Sequence, residues 1–144
     1  MDRRKFLAGT AALAGGIAAP AALYEKPATI FAARFVGTPP MNVIPAALVP
    51  ESMAPAPNGR ARDTLGLGIR PEAAQIAPDG MPATVAAVEY LGADTLLDTR
   101  IADQPFTVRV SGRASASAGD TIGIRWEPSA AHWFDLSSQC RIDR

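Results

Sequence analysis

Residues Thr84–Trp126 read TVAAVEYLGADTLLDTRIADQPFTVRVSGRASASAGDTIGIRW. Thr84 to Leu91 is nearly all apolar, as a central strand would be. Gly92-Ala93-Asp94 turns the chain. Leu97, Thr99 and Ile101 then alternate with Leu96, Asp98 and Arg100, and Phe106, Val108 and Val110 with Thr107, Arg109 and Ser111. After the Gly119-Asp120 turn, Ile122, Ile124 and Trp126 alternate with Thr121, Gly123 and Arg125. Strands at roughly ten-residue spacing with short turns predict a small antiparallel barrel or sandwich, mainly β. Val108, Val110, Ile122, Ile124 and Trp126 are its expected core, with Phe106 and Phe134.

The flanks extend this pattern. Thr64 to Arg70 alternates, with Leu65, Leu67 and Ile69 on one face, and Pro71 ends it. Ala73 to Pro82 reads as a connection turning at Asp79-Gly80. Met41 to Val49 is an apolar run interrupted by Pro45, which suits an edge or bulged strand. Pro50 to Arg62 is a loop with an Asn58-Gly59 turn. Pro27 to Phe35 predicts a short helix striped by Ile30, Phe31 and Phe35 and stopped by Gly37 with Pro39-Pro40. His132 to Leu136 gives a last short strand.

Composition narrows the chemistry. The 144 residues suffice for one domain, and 14 Lys+Arg balance 14 Asp+Glu. That balance argues against a nucleic-acid partner. Arg100, Arg109 and Arg125 fall on the polar phase of three strands, where the plain reading is a solvated face with nearby countercharges. Cys140 is the only cysteine and His132 the only histidine. An intrachain disulfide and a Cys- or His-rich metal centre are thereby excluded. No phosphate-cradling G-x-x-x-x-G-K-[ST] string occurs. No catalytic, cofactor-binding or metal-binding residue is expected.

The first 22 residues stand apart. Arg3, Arg4 and Lys5 precede an uncharged run from Phe6 to Ala22. Arg3-Arg4, followed one residue later by Phe6-Leu7, resembles a twin-arginine export signal, and Ala19-Pro20-Ala21 offers small residues for cleavage. Three parts are expected: a leader over 1–22, helical or disordered; a short helix and linker over 23–40; and a barrel over 41–144.

Five ordered strings carry a further reading: LYEKPA at Leu23–Ala28, FVGTPPMN at Phe35–Asn42, LGIRPE at Leu67–Glu72, EYLGAD at Glu89–Asp94 and HWFD at His132–Asp135. In this order they resemble the C-terminal part of ATP-binding subunits of sugar-importing ABC transporters, nearest in look to the sn-glycerol-3-phosphate and maltose importers. The resemblance runs from about Leu23 to Ile142. It implies an OB-like regulatory barrel, the TOBE domain, which follows the nucleotide-binding domain and through which two ATPase copies touch. The family usually has His after R-P-E, where this chain has Ala73, and the Val49–Asp63 segment looks shorter than the family's. Walker A, signature and Walker B motifs have no counterpart in this sequence.

The resemblance implies a truncated ATP-binding subunit whose barrel contacts importer subunits or a second like domain. ATP belongs to the intact family only. It implies membrane association only through a transporter complex, at the cytoplasmic face of the inner membrane; use of the leader would place the chain in the periplasm instead. Arg70, Glu72, His132 and Asp135, all within the matching strings, are the candidate interface residues, although Arg70-Pro71-Glu72 also reads simply as a strand exit. His132 has no visible acid or nucleophile as partner. Ile30, Phe31 and Phe35 are candidates for a face left uncovered without a nucleotide-binding domain. The alternatives are an exported β-domain binding an oxyanion or other small ligand, and a non-functional gene-fusion remnant.

Overall fold

A computed structural model describes residues 21–143. The leader, with Arg3, Arg4, Phe6 and Leu7, lies outside the described residues. Residues 21–25 are helical, and a six-residue helix, α1 (Ile30–Phe35), follows. Eight strands come next: β1 (Asn42–Pro45), β2 (Leu65–Ile69), β3 (Gln75–Tyr90), β4 (Asp94–Ile101), β5 (Gln104–Ser111), β6 (Thr121–Arg125), β7 (His132–Asp135) and β8 (Arg141–Ile142). They form two antiparallel four-stranded sheets, in the orders β1-β2-β7-β8 and β5-β4-β3-β6. The mainly β, antiparallel architecture expected from the alternation is observed, and it is consistent with the small OB-like barrel that the resemblance implies.

The first sheet is covered on both faces. Leu65, Leu67, Ile69, Ile44 and Trp133 enter the main core with Leu97, Ile101, Phe106, Val108, Ile124 and Trp126. Ile30 and Ala33 of α1 pack with Met41, Val43 and Phe134 in a second, smaller core. The L-G-L-G-I sequence of β2 permits this. A Cβ on Gly68 would come within 2.5 Å of the Met41 sulfur and 2.9 Å of the Phe134 ring. The two sheets are joined by Asn42: its Nδ2 donates to the Thr107 carbonyl at 2.8 Å, and its Oδ1 accepts from the Thr107 N–H at 2.7 Å. The side-chain amide thus acts as a short strand against β5.

Several expectations need correction. The helix begins at Ile30 rather than Pro27, because Thr29 caps it by accepting from the Ala32 N–H at 3.1 Å. Its buried stripe is Ile30 and Ala33, three residues apart; Phe31 and Phe35 are 72% and 75% exposed. The uncovered aromatic pair expected there is therefore Phe31 and Phe35, and Ile30 is core. Val110 and Ile122 are only half-buried, packed at the margin of the core.

The largest correction is β3. Ala73–Pro82 is not a connection turning at Asp79-Gly80; Gln75 onward is already strand. Ile124 of β6 faces both Ile76 and Met81, so residues 77–80 form a wide bulge inside the ladder. The Asp79-Gly80 pair bends a strand instead of ending one. A Cβ on Gly80 would lie 2.6 Å from the Ile124 nitrogen, and one on Gly123 would lie 1.9 Å from the Ala77 carbonyl oxygen. Gly80 against the Ile124 backbone and Gly123 against the Ala77 carbonyl let the bulge fold flat against β6.

Candidate interaction surfaces

The four candidate interface residues do not form one site. Across β2 and β7, His132 faces Gly68 while Asp135 faces Leu65. Arg70 and Glu72 follow Ile69, so His132 lies toward their end of the sheet and Asp135 at the other.

Arg70 is 5% exposed and is used internally, which corrects its assignment to an interface. Its Nη1 donates to the Val36 carbonyl at 2.7 Å and its Nη2 to the Tyr24 carbonyl at 2.6 Å. The guanidinium also lies 3.9 Å from the centre of the Tyr24 ring. The Tyr24 hydroxyl donates to Glu72 Oε1. Burial, followed by the bond to Glu72, raises the Tyr24 phenol above its ordinary pKa. Burial pulls the Arg70 guanidinium downward. This clasp fastens residues 21–36 to the exit of β2; Arg70 is its buried member, while Tyr24 and Glu72 remain exposed.

His132 is half-buried, with Arg141 Nη1 at 3.0 Å from its Nδ1. Guanidinium only donates, so Nδ1 accepts. Asp135 shapes the turn after β7: its Oδ1 accepts from the Ser137 N–H at 2.8 Å, the Ser137 hydroxyl at 2.6 Å and the Ser138 N–H at 2.9 Å. These bonds, the Ser137 hydroxyl first, lower its pKa to about 2. Arg60 stands 3.8 Å from the other carboxylate oxygen.

The three strand arginines have local partners. Two Arg109 nitrogens meet Asp94 Oδ2 at 2.6 and 2.7 Å. Arg125 lies 3.6 Å from Asp79 and 3.9 Å from Glu127. Arg100 donates to the Asp103 carbonyl at 2.9 Å. They form no common anion face.

Sequence reasoning missed other features. Arg62 donates to the carbonyls of Ala46, Val49 and Ala54 at 2.9, 2.7 and 2.6 Å, pinning the loop it follows. A cleft of about 390 Å³ is lined by Lys26, Ser129, Trp133, Arg141 and Asp143, among others. The buried indole N–H of Trp133 has no acceptor among the described residues. Tyr24 and Lys26 stood in the LYEKPA string, yet nothing local revealed that they meet β2 or the chain's end. Among the described residues there is no cluster of three or more His, Cys, Asp or Glu side chains suited to a metal, and no helix long and apolar enough to cross a membrane.

The β-rich segment from β2 to β7 coincides with a family match: residues 67–134 fit the TOBE domain. Residues 67–134 are a TOBE domain. Its flanks also have relatives. The chain is 37% identical over 144 residues to an sn-glycerol-3-phosphate import ATP-binding protein, UgpC, of Cereibacter sphaeroides, covering 92% of this chain and 40% of that protein. UgpC of Salmonella typhi is 35% identical over 141 residues, and UgpC of Yersinia enterocolitica 32% over 147, each covering 88% of this chain and 40% of the relative. The chain thus spans two fifths of the length of these relatives. Coverage of 92% leaves at most about 12 residues outside the match, so the similarity takes in the clasped segment that precedes the TOBE domain.

Proposed function

We propose that this chain serves as the regulatory barrel of a carbohydrate or glycerol-3-phosphate importer's ATP-binding machinery. It acts by contact with importer subunits or a like domain, and it is not an ATPase. The match of residues 67–134 to the TOBE domain carries the reading. The UgpC relatives support its importer side. Phosphoryl transfer requires a phosphate-binding loop and metal-holding acids, and this sequence has no Walker A string. The exposed Phe31–Phe35 stack, with centroids 5.6 Å apart, is an apolar face suited to protein contact.

The tests are affinity capture after co-expression with the ATP-binding and membrane subunits of a glycerol-3-phosphate importer and, separately, calorimetry with ATP on the chain purified alone. Capture of importer subunits without saturable nucleotide binding is expected. Saturable ATP binding, or failure to retain any importer subunit, overturns the reading.

One observation favours the alternative of a ligand-binding domain. The cleft beside β8 presents the Lys26 ammonium, the Ser129 hydroxyl, Trp133 and the Arg141 guanidinium, whose Nε lies 3.3 Å from the carboxylate of Asp143, also in the lining. A small oxyanion suits such donors. Calorimetry with inorganic phosphate and sulfate against the K26A variant separates the readings: an anion reading demands saturable heat that the variant loses.

A further inference from the structure

β8 is only two residues long, Arg141–Ile142, and it has a neighbour on each side. On one side it pairs with Phe134 and Trp133 of β7. On the other it carries the segment that precedes α1. There Arg141 N–H donates to the Ala28 carbonyl at 2.8 Å, Ile30 N–H donates to the Gln139 carbonyl at 3.0 Å, and Thr29 bridges with Cys140. Whatever loosens β8 therefore loosens the hold on residues 28–30. From these, α1 and its exposed Phe31–Phe35 stack follow directly.

His132 braces this short strand from β7. Its Nδ1 accepts from Arg141 Nη1 at 3.0 Å, and the residue is half-buried. A ring nitrogen that accepts from a guanidinium carries no proton. Protonation at Nδ1 removes the acceptor and sets an imidazolium against a guanidinium, so that a bond becomes a like-charge contact. The charged groups around the pair do not offset that change. The Asp143 carboxylate lies 3.3 Å from Arg141 Nε, but its side chain is 88% exposed, where water screens it. Lys26, in the same cleft as Arg141, is a further cation. Opposite His132, β2 presents Gly68, and Arg70 just beyond it is committed to the Val36 and Tyr24 carbonyls. Glu72 accepts from Tyr24, and Arg34 of α1 donates to the Val43 carbonyl. Asp135, at the far end of β7, is engaged by Ser137 and Ser138.

His132 is also the only histidine in the chain. Imidazole is the one side chain whose ordinary charge change falls between pH 5 and 8. We propose that His132 and Arg141 form a pH-sensitive latch: the neutral ring holds β8 and the segment before α1 in place, and its protonation releases them together. The sign follows from the bond. The closed form needs the unprotonated ring, so the latch is complete near pH 7.5 and opens as the pH falls below about 6.5. The main core is built of apolar side chains and stays folded through that range. The proposal goes beyond the importer reading, since the latch works without any other subunit.

The test is amide hydrogen exchange of the full chain at pH 7.5 and 5.5, each rate divided by that of an unstructured amide at the same pH. An imidazole released into water takes up its proton near pH 6.5, which favours the open form about tenfold more at pH 5.5 than at pH 7.5. The Arg141 and Ile30 amides, which bond across the joint, are therefore expected to lose about tenfold in protection. The amides of β4, paired on both sides, are expected to keep theirs. His132→Asn puts a carbonyl oxygen in place of Nδ1, an acceptor at every pH, and is expected to abolish the change. Arg141→Gln is expected to abolish it too, because an amide can turn its oxygen toward a protonated ring. Where one variant does not fold, the other decides. Protection at Arg141 and Ile30 that is the same at both pH values overturns the proposal. So does a loss that persists in either folded variant, or an equal loss throughout β4, which would mean global unfolding instead of a latch.

Discussion

Arg70 shows how a charged side chain at a strand exit becomes internal scaffolding. A guanidinium is weakly hydrated for a cation and can donate in a plane to several carbonyls, so its desolvation is offset where such acceptors converge. Here the Val36 and Tyr24 carbonyls and the Tyr24 ring converge on it. Arg70→Ala is expected to lower stability by about 3 kcal/mol or more in urea melts, because charge-assisted bonds are lost and buried carbonyls are left without donors. Arg70→Lys recovers only part, since an ammonium cannot span both carbonyls. Asp135 makes a pH-dependent counterpart. Its folded pKa, about 2, lies below the ordinary 3.8, so its stabilisation is full above about pH 4 and is lost as pH falls toward 2. Asp135→Asn is expected to flatten the stability profile between pH 4 and 2, which acid titration followed by circular dichroism would record. A variant profile as steep as the parent's would contradict this assignment.

At the scale of elements, alternation revealed what side chains face, and it missed what backbones do. Leu97, Ile101, Phe106, Val108 and Ile124 are buried as their period-two pattern required, because a pleated strand has no other way to sort faces. Asp79-Gly80 misled because the same residues that make a turn also make a bulge; the difference lies in whether β6, some forty residues later, supplies a glycine opposite. The sequence holds that glycine at position 123, but only pairing reveals its role. Gly123→Ala and Gly80→Ala are each expected to cost about 1–3 kcal/mol, since the added methyl meets backbone atoms. The double variant is expected to cost less than the sum, as one shift of the bulge relieves both contacts. Thermal melts of the three variants measure this directly. Full additivity would mean that the two contacts are independent.

The whole molecule is held together by contacts distant in sequence. The candidate site was legible only as strings: Glu72, His132 and Asp135 lie where the five motifs fall, yet Arg70's burial depends on Tyr24, 46 residues earlier. No local periodicity encodes that meeting. The segment preceding the barrel is consequently part of its structure. Tyr24 engages Arg70 and Glu72, Ala28 and Ile30 extend the β8 edge, and α1 supplies one wall of the second core. Deleting residues 1–20 removes none of these contacts, and the melting temperature is expected to stay close to that of the full chain. Deleting residues 1–26 removes Tyr24, strips Arg70 of one carbonyl and its aromatic cover, and frees Glu72. Loss of the charge-assisted bond alone predicts about 1.5–3 kcal/mol of destabilisation. Tyr24→Phe in the full chain isolates the hydroxyl: it keeps the ring over Arg70 and the backbone bond, so it is expected to fall nearer the parent than the deletion. Calorimetry of the four proteins orders them as parent, 1–20 deletion and Tyr24→Phe close together, with the 1–26 deletion well below. If the two deletions melt alike, the clasp does not anchor the segment, and the barrel's stability resides entirely in its two sheets.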